Sequence, residues 1–470
     1  EHSQESSEAL KSFFRRRSVI IAVVIASAMA LFGITRYLKL APTGMPTDPS
    51  SSKTNEVIQG LQEFLASHWQ RPIPLQGQAP AQFSALEASL RPEACGTCHK
   101  QQYADWRESL HSRAMGPGPW GQIVDMISSS PEDAVQCMTC HAPLSEQMSV
   151  LPKVAADNNT TYETNPHLDK ELQSKGITCA VCHVRQHQRF GPPKSEGPFA
   201  TRYPADMKSH NGAKRTAYFE KAEFCKDCHQ FDPENSLLVN GKPLQDTYRE
   251  WQNSMWARDG VACQDCHMSN RRHLWKGIHD QEWVKGGVQF KTSLQETTVR
   301  DGGAISVNVE LINSAVGHKF PTYTTPKVFV RAALLDSGDR LIPATQKEHI
   351  VGWDARFADG EWKEFFDTRI APGERLQRKF QWSPTKAASK IRIWVEVHPD
   401  HFYHVYFYPE HLKRQDLSPG GRKLIERALE ESGKSTYILF EEVLPLYTSD
   451  RSLPSNARFD RPIKTTTVRK

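Results

Sequence analysis

The sequence predicts a multidomain α+β protein: an N-terminal transmembrane helix, a mostly helical or irregular middle domain, and a C-terminal antiparallel β-sandwich. Three observations carry this reading. One apolar stretch lies near the start, all ten cysteines fall between residues 95 and 266, and alternating apolar and polar residues dominate beyond residue 290.

The apolar stretch runs from Ser18 to Leu38, directly after Arg15, Arg16 and Arg17. Its purely apolar part is slightly short of the roughly 20 residues a spanning helix needs, and Tyr37, Leu38 and a snorkelling Arg36 complete it. The arginines predict that residues 1–17 stay in the cytoplasm and that the rest is exported. Ala28-Met29-Ala30 has the small-x-small form of a signal-peptidase site, but an uncleaved signal anchor over residues 18–38 is the reading adopted. It predicts a single-pass protein of the bacterial cytoplasmic membrane whose later domains face the periplasm. Residues 39–83 read as a Pro/Ser/Thr-rich linker holding a short amphipathic helix, with Val57, Leu61, Phe64 and Leu65 at helical spacing.

Residues 84–290 form the second predicted domain. Its ten cysteines make five copies of Cys-x-x-Cys-His, with first cysteines at 95, 137, 179, 225 and 263, so the spacings are 42, 42, 46 and 38. The copies are Cys95, Cys98 and His99; Cys137, Cys140 and His141; Cys179, Cys182 and His183; Cys225, Cys228 and His229; and Cys263, Cys266 and His267. A lone Cys-x-x-Cys is equally a redox dithiol or half a zinc site. Five copies, each followed at once by histidine, instead spell covalent attachment of haem c. Two thiols take the porphyrin's vinyl groups and the histidine gives iron its proximal nitrogen. The expected cofactors are therefore five covalently attached haem c groups. An apolar content of 38% is low for a core of side chains alone; haem discs would fill the remaining volume.

What completes each iron separates a carrier from an enzyme: a second histidine saturates it, whereas an open side takes substrate. Nineteen histidines are present, five of them in the motifs. The distal candidates are His111, His210, His273, His279 and His318, with His187 and His167 in reserve and Met115, Met207, Met255 and Met268 as possible sulfur ligands. His2, His349, His398, His401, His404 and His411 read as ordinary solvated or hydrogen-bonded residues.

The runs CGTCHKQQYADWRESLHSRAM, TYREWQNSMWARDGVACQDCHM, the His-x5-His segment ending in GIHD, and GHKFPT resemble multihaem cytochromes related to hydroxylamine oxidoreductase and its tetrahaem electron acceptor. The resemblance covers roughly residues 91–400. It implies that His111, His273, His279 and His318 are distal ligands and, less firmly, His210, and that neighbouring haems are closely stacked. The chain departs from pentahaem nitrite reductases, which usually carry CxxCK at the reaction haem. It departs from hydroxylamine oxidoreductase in haem number.

Residues 291–447 carry the predicted sandwich. Ala304–Ile312 alternates after an Asp-Gly-Gly turn, Val328–Leu335 is apolar, and Ile391, Ile393, Val395 and Val397 alternate with polar partners. A helix is expected near Gly421–Glu431 and a returning strand at Tyr437–Leu446. Residues 448–470 form a basic tail.

The expectation from sequence is a membrane-anchored periplasmic pentahaem cytochrome relaying electrons between a membrane redox partner and another periplasmic redox protein, with every iron bis-histidine. The alternatives are an oxidoreductase with one open haem acting on a small nitrogen or sulfur species, and a fixed subunit of a larger respiratory complex. No catalytic residue is assigned, and carrier is favoured over enzyme. The expected partners are the membrane, through the N-terminal helix, and redox proteins, possibly subunits of a respiratory complex. A net charge of +5, with no Lys/Arg-rich run interleaved with aromatics in the haem region, gives no case for nucleic acid.

Overall fold

The computed structural model describes residues 49–194, 210, 212–234, 236–296, 298–299, 304–383, 385 and 387–448. Two units divide the chain at residue 63, and residues 64–470 form the second. The motif region and the strand region thus belong to one unit.

The expected transmembrane helix and single-pass anchorage are corrected. Among the described residues, no helix is long and apolar enough to cross a membrane. The helix that comes nearest in length, α1 (Pro49–His68), reads PSSSKTNEVIQGLQEFLASH. It is long enough but far too polar. Residues 18–38 lie outside the described residues, as do the Asp-Gly-Gly turn at 301–303 and the tail beyond 448. The described chain is a mixed α+β protein with many strands.

The motif region is held by short helices. These include α2 (Lys100–Glu108), α3 (Pro117–Ser129), α4 (Pro131–His141), α5 (Cys179–His183), α6 (Glu223–His229) and α7 (Cys263–His267). Helices α4 to α7 each end on a motif histidine, so each motif occupies a last helical turn. The first motif breaks this pattern: a short helix stops at Gly96 and His99 precedes α2.

Eight strands follow: β1 (Val288–Glu296), β2 (Ile305–Asn313), β3 (Lys327–Leu335), β4 (Lys347–Ala358), β5 (Glu361–Asp367), β6 (Arg375–Trp382), β7 (Lys390–His398) and β8 (Tyr437–Pro445). They pair antiparallel in two sheets, β6–β2–β1 and β5–β4–β3–β7–β8. One core cluster joins Val307, Val309 and Leu311 of the first sheet to Val330, Ile391 and Val395 of the second. Each such side chain contributes about 1.5–3 kcal/mol on burial. Strand β3 is central and buried on both faces except at Arg331, which fits a sequence that is apolar from Val328 to Leu335 apart from that arginine. Helix α8 (Pro419–Gly433) then packs across α3. The approach is close: a Cβ on Gly121 would sit 2.9 Å from Ile425 Cδ1.

A buried ion network ties the motif region to the sheets. Arg369, on the loop after β5, donates to Glu250 at 2.8 Å and to Asp367 at 2.8 Å, and its side chain is only 2% exposed. Lys242 also reaches Asp367, at 2.8 Å. Glu250 in turn accepts from the Lys319 amide and the Thr322 hydroxyl, fixing the loop that begins at His318. Burial pushes the Glu250 carboxyl up, and Arg369 opposes that rise. Burial acts the same way on Asp367, but Arg369 and Lys242 outweigh it and hold its carboxyl far below the usual range.

Arg369→Ala removes the only cation paired with Glu250 among the described residues and one of those on Asp367, so it lowers stability by about 3–5 kcal/mol. Guanidinium denaturation checks this. A loss under 1 kcal/mol contradicts the tie.

Candidate haem-binding site

Among the described residues, the fold sets four imidazoles opposite motif histidines. His99 faces His210, with ring centres 6.4 Å apart and planes 17° apart. His111 faces His229 at 6.3 Å, and His183 faces His273 at 6.3 Å. His267 faces His318 at 6.4 Å with an interplanar angle of 10°. A metal–nitrogen bond is about 2 Å, so two imidazoles on one iron place their ring centres roughly 6 Å apart. Each pair joins one motif histidine to one distal candidate.

The hydrogen bonds also fit iron ligation. Nδ1 of His141, His183 and His267 donates to the carbonyls of Ala114, Phe190 and Lys276, each at 2.8 Å. His273 and His318 donate likewise to Arg271 at 3.0 Å and Lys319 at 2.9 Å. A proton fixed on Nδ1 leaves the Nε2 lone pair for metal. Burial keeps these rings neutral, as ligation requires. Burial, followed by neighbouring imidazoles, pushes His111 down to about 3, and His183 and His229 fall to about 4 with burial the main cause.

Local sequence explains the placement. In the Trp-x-x-Ser-x-His run, Trp106 donates to Ile177 O at 2.6 Å and the Ile177 amide donates to His111 O at 3.0 Å. Gly176 adopts φ +63, and a Cβ there would meet His111 O at 2.7 Å; only glycine lets the chain pass so close. Asp105, 3% exposed on its side chain, takes Arg272 through both oxygens at 2.7 Å and the His273 amide at 3.0 Å. That clamp sets the ring opposite His183. His210 is held by its amide, which donates to Glu87 at 3.0 Å.

His279 stands apart from these pairs. Its Nε2 meets both Asp400 oxygens at 3.1 Å. His187 bonds Gly77 O at 3.1 Å, and Met115 packs in an apolar cluster with Met138 and Ala142. Met207 and His2 lie outside the described residues. Among the described residues, no second imidazole faces His141.

The cysteines of the first four motifs line one connected cavity of about 2690 Å³, together with their histidines. All ten cysteines are free of disulfides. Their thiols map which motifs adjoin. Cys95 interacts with Cys179, Cys140 with Cys228, and Cys225 with Cys263. Cys182 lies within electrostatic reach of Cys225 and Cys228. The fourth motif thus adjoins the second, third and fifth, and the first adjoins the third. The residues therefore fit haem c: paired thiols, neutral imidazoles at ligation spacing, and a cavity between them.

The second motif has a setting of its own, which sequence reasoning missed. Tyr403 lies within electrostatic reach of Cys137, Tyr323 and Asp400, and burial is the main cause that pushes its phenol up to about 12. Burial, then Asp400, pushes Tyr323 up as well. The Asp400 carboxyl sits below its usual range: burial opposes ionisation, but the hydrogen bond from His279 prevails. Residues 403–407 form a π-helical turn, and Tyr403 stacks on Tyr408 at 5.3 Å. These groups lie some 180 or more residues beyond His141, so no spacing in the sequence marks them.

Residues 78–282 match the cytochrome c552 family. Over 206 residues the chain is 25% identical to cytochrome c nitrite reductase subunit NrfA of Nitratidesulfovibrio vulgaris, covering 41% of this chain and 37% of that protein. It is 22% identical to cytochrome c-552 of Aliarcobacter butzleri, covering 39% of this chain and 36% of the relative. The matches thus span little more than a third of each relative. In fold, the chain is similar to a penta-heme cytochrome c552 from Thermochromatium tepidum, with a TM-score of 0.52 and 16% identity over 77% of this chain and 100% of that one. These likenesses are to cytochrome c552 and nitrite reductase; none of them is to hydroxylamine oxidoreductase.

His111→Ala, His210→Ala, His273→Ala and His318→Ala each convert one low-spin haem to high-spin while its thioether bonds persist, and His279→Ala converts none. Magnetic circular dichroism of the oxidised protein reads both outcomes. A high-spin signal from His279→Ala contradicts the assignment. Five CxxCH motifs within the region that matches the cytochrome c552 family mark the chain as a multihaem c-type cytochrome.

Proposed function

We propose that the chain carries five haem c groups, one per motif, and that four relay electrons to the one at Cys137, Cys140 and His141, where a small nitrogen oxide species such as nitrite is reduced. Bound haem supplies one-electron chemistry and, where a distal side is free, a position for substrate. The observation that carries the reading is that, among the described residues, His141 has no facing imidazole while the four other motif histidines are paired. The likeness to a protein named as a nitrite reductase supports the substrate class. The histidine in place of the nitrite-reductase lysine sets this site apart from that pattern.

The residues around the second motif suit such a substrate. Tyr403 and Tyr323 stay protonated at neutral pH, so their hydroxyls donate hydrogen bonds to an oxygen-bearing ligand. Asp400 holds the His279 ring through Nε2. Aromatic side chains of Tyr403, Phe407 and Tyr408 close the surroundings, which limits water around the reacting atoms. The four histidine pairs by themselves also fit a carrier without a substrate, and assay separates the two readings.

The test is oxidation of reduced viologen by nitrite or hydroxylamine. The wild-type protein turns over. Tyr403→Phe lowers kcat by roughly 10- to 100-fold, with the haem spectra unchanged. Absence of turnover with both substrates leaves the carrier reading in its place.

A further inference from the structure

Electrons reach the second motif from outside, and the thiol contacts define a route. The first motif touches the third, the third lies by the fourth, and the fourth touches the second. The first motif is therefore the far end of that series. Of the ten cysteines Cys98 and Cys266 are the exposed ones, and Cys98 also lines the cavity.

The surroundings of the first and fifth motifs differ in charge. Beside the first motif stand Lys100, Lys194, Lys214 and Arg215, all exposed. Lys194 and Arg215 line the cavity with His99, and Arg215 is within electrostatic reach of that ring. Lys214 lies over the Phe190 ring at 5.7 Å, and Arg215 donates to Pro192 O at 3.1 Å. None of the four basic groups has a carboxylate partner among the described residues. The nearby acids are engaged: Glu93 pairs with Lys175 at 2.8 Å, and Glu87 accepts from the Ser84 and His210 amides. At the fifth motif the exposed charges are mixed, with Asp259, Asp265 and Glu282 beside Arg258 and Lys285.

We infer that the basic face around Cys98 is the docking surface for an acidic one-electron donor protein, which delivers its electron at the first motif. In each encounter the donor is oxidised by one electron and the first-motif iron goes from ferric to ferrous. No atom or proton is exchanged. Uncompensated basic groups steer an acidic partner to this edge and hold it where a haem edge would be nearest the surface. The inference rests on the proposed relay but not on its substrate.

The test uses the haem-loaded protein and an acidic flavodoxin as the donor. Oxidised flavodoxin binding is measured by calorimetry at low and high salt, and reduction by flavodoxin hydroquinone by stopped flow. Charge reversal of two exposed residues outside the cavity lining, Lys100→Glu with Lys214→Glu, weakens binding and slows reduction by about ten-fold or more at low salt, and high salt removes the difference. Reduction of the variant by dithionite stays at the wild-type rate, which shows that its haems are intact. Unchanged flavodoxin binding and reduction in the variant overturn the inference. Salt-sensitive docking in a protein that does not turn over nitrite sinks the reaction-haem reading alone.

Discussion

Two imidazoles held face to face across the space of one iron are the constraint on which the rest of this structure depends. The separation of 6.3–6.4 Å recurs in four pairs drawn from widely separated parts of the chain. His273 is set by the Asp105–Arg272 clamp, His111 by the Trp106 and Ile177 contacts, and His318 by a loop that Glu250 and Arg369 anchor. Each is a buried polar arrangement whose cost is met only if its ring lands in place. The ion network between Glu250, Asp367 and Arg369 thus serves ligation as well as cohesion. It keeps the strand region docked where it sets His318 opposite His267, and those strands and the motif helices lie in one unit.

Much of the haem chemistry was legible in the sequence, because a CxxCH motif is local: three residues in fixed order fix the attachment chemistry. The distal set is less local. His111, His210, His273 and His318 could be nominated from nearby motifs, but their pairing could not, since His111 crosses to His229 and His183 takes its partner from beyond the fifth motif. His279 illustrates the limit. It shares a short segment with His273, yet its ring meets Asp400, a residue 121 positions away. Strands with alternating or wholly apolar sequence, such as β2, β3 and β7, were readable. Strands β4, β5 and β6 were not, because β5 alternates poorly at a sheet edge and β6 is largely exposed. The apolar run at 18–38 read as a spanning helix, but among the described residues no helix meets that requirement.

The second motif departs from its neighbours for a reason the packing makes plain. Helix α3 leads directly into α4, which carries the motif, and α3 is pressed onto α8 at Gly121. That contact brings the aromatic turn at 403–408 up to Cys137. Phenols, a carboxylate and the imidazole bound to it stand there, and among the described residues no facing histidine does. A relay needs its irons saturated, whereas a reaction site needs one left open and flanked by groups that donate hydrogen bonds. In the proposed reading both arrangements coexist within one unit, with the fourth motif joining them.

Low-temperature electron paramagnetic resonance of the fully oxidised protein, with and without cyanide, tests this division most directly. The account predicts four low-spin signals that cyanide leaves unmoved, and one high-spin signal that cyanide converts to low-spin. Five low-spin signals indifferent to cyanide would contradict it and leave a protein whose irons are all closed.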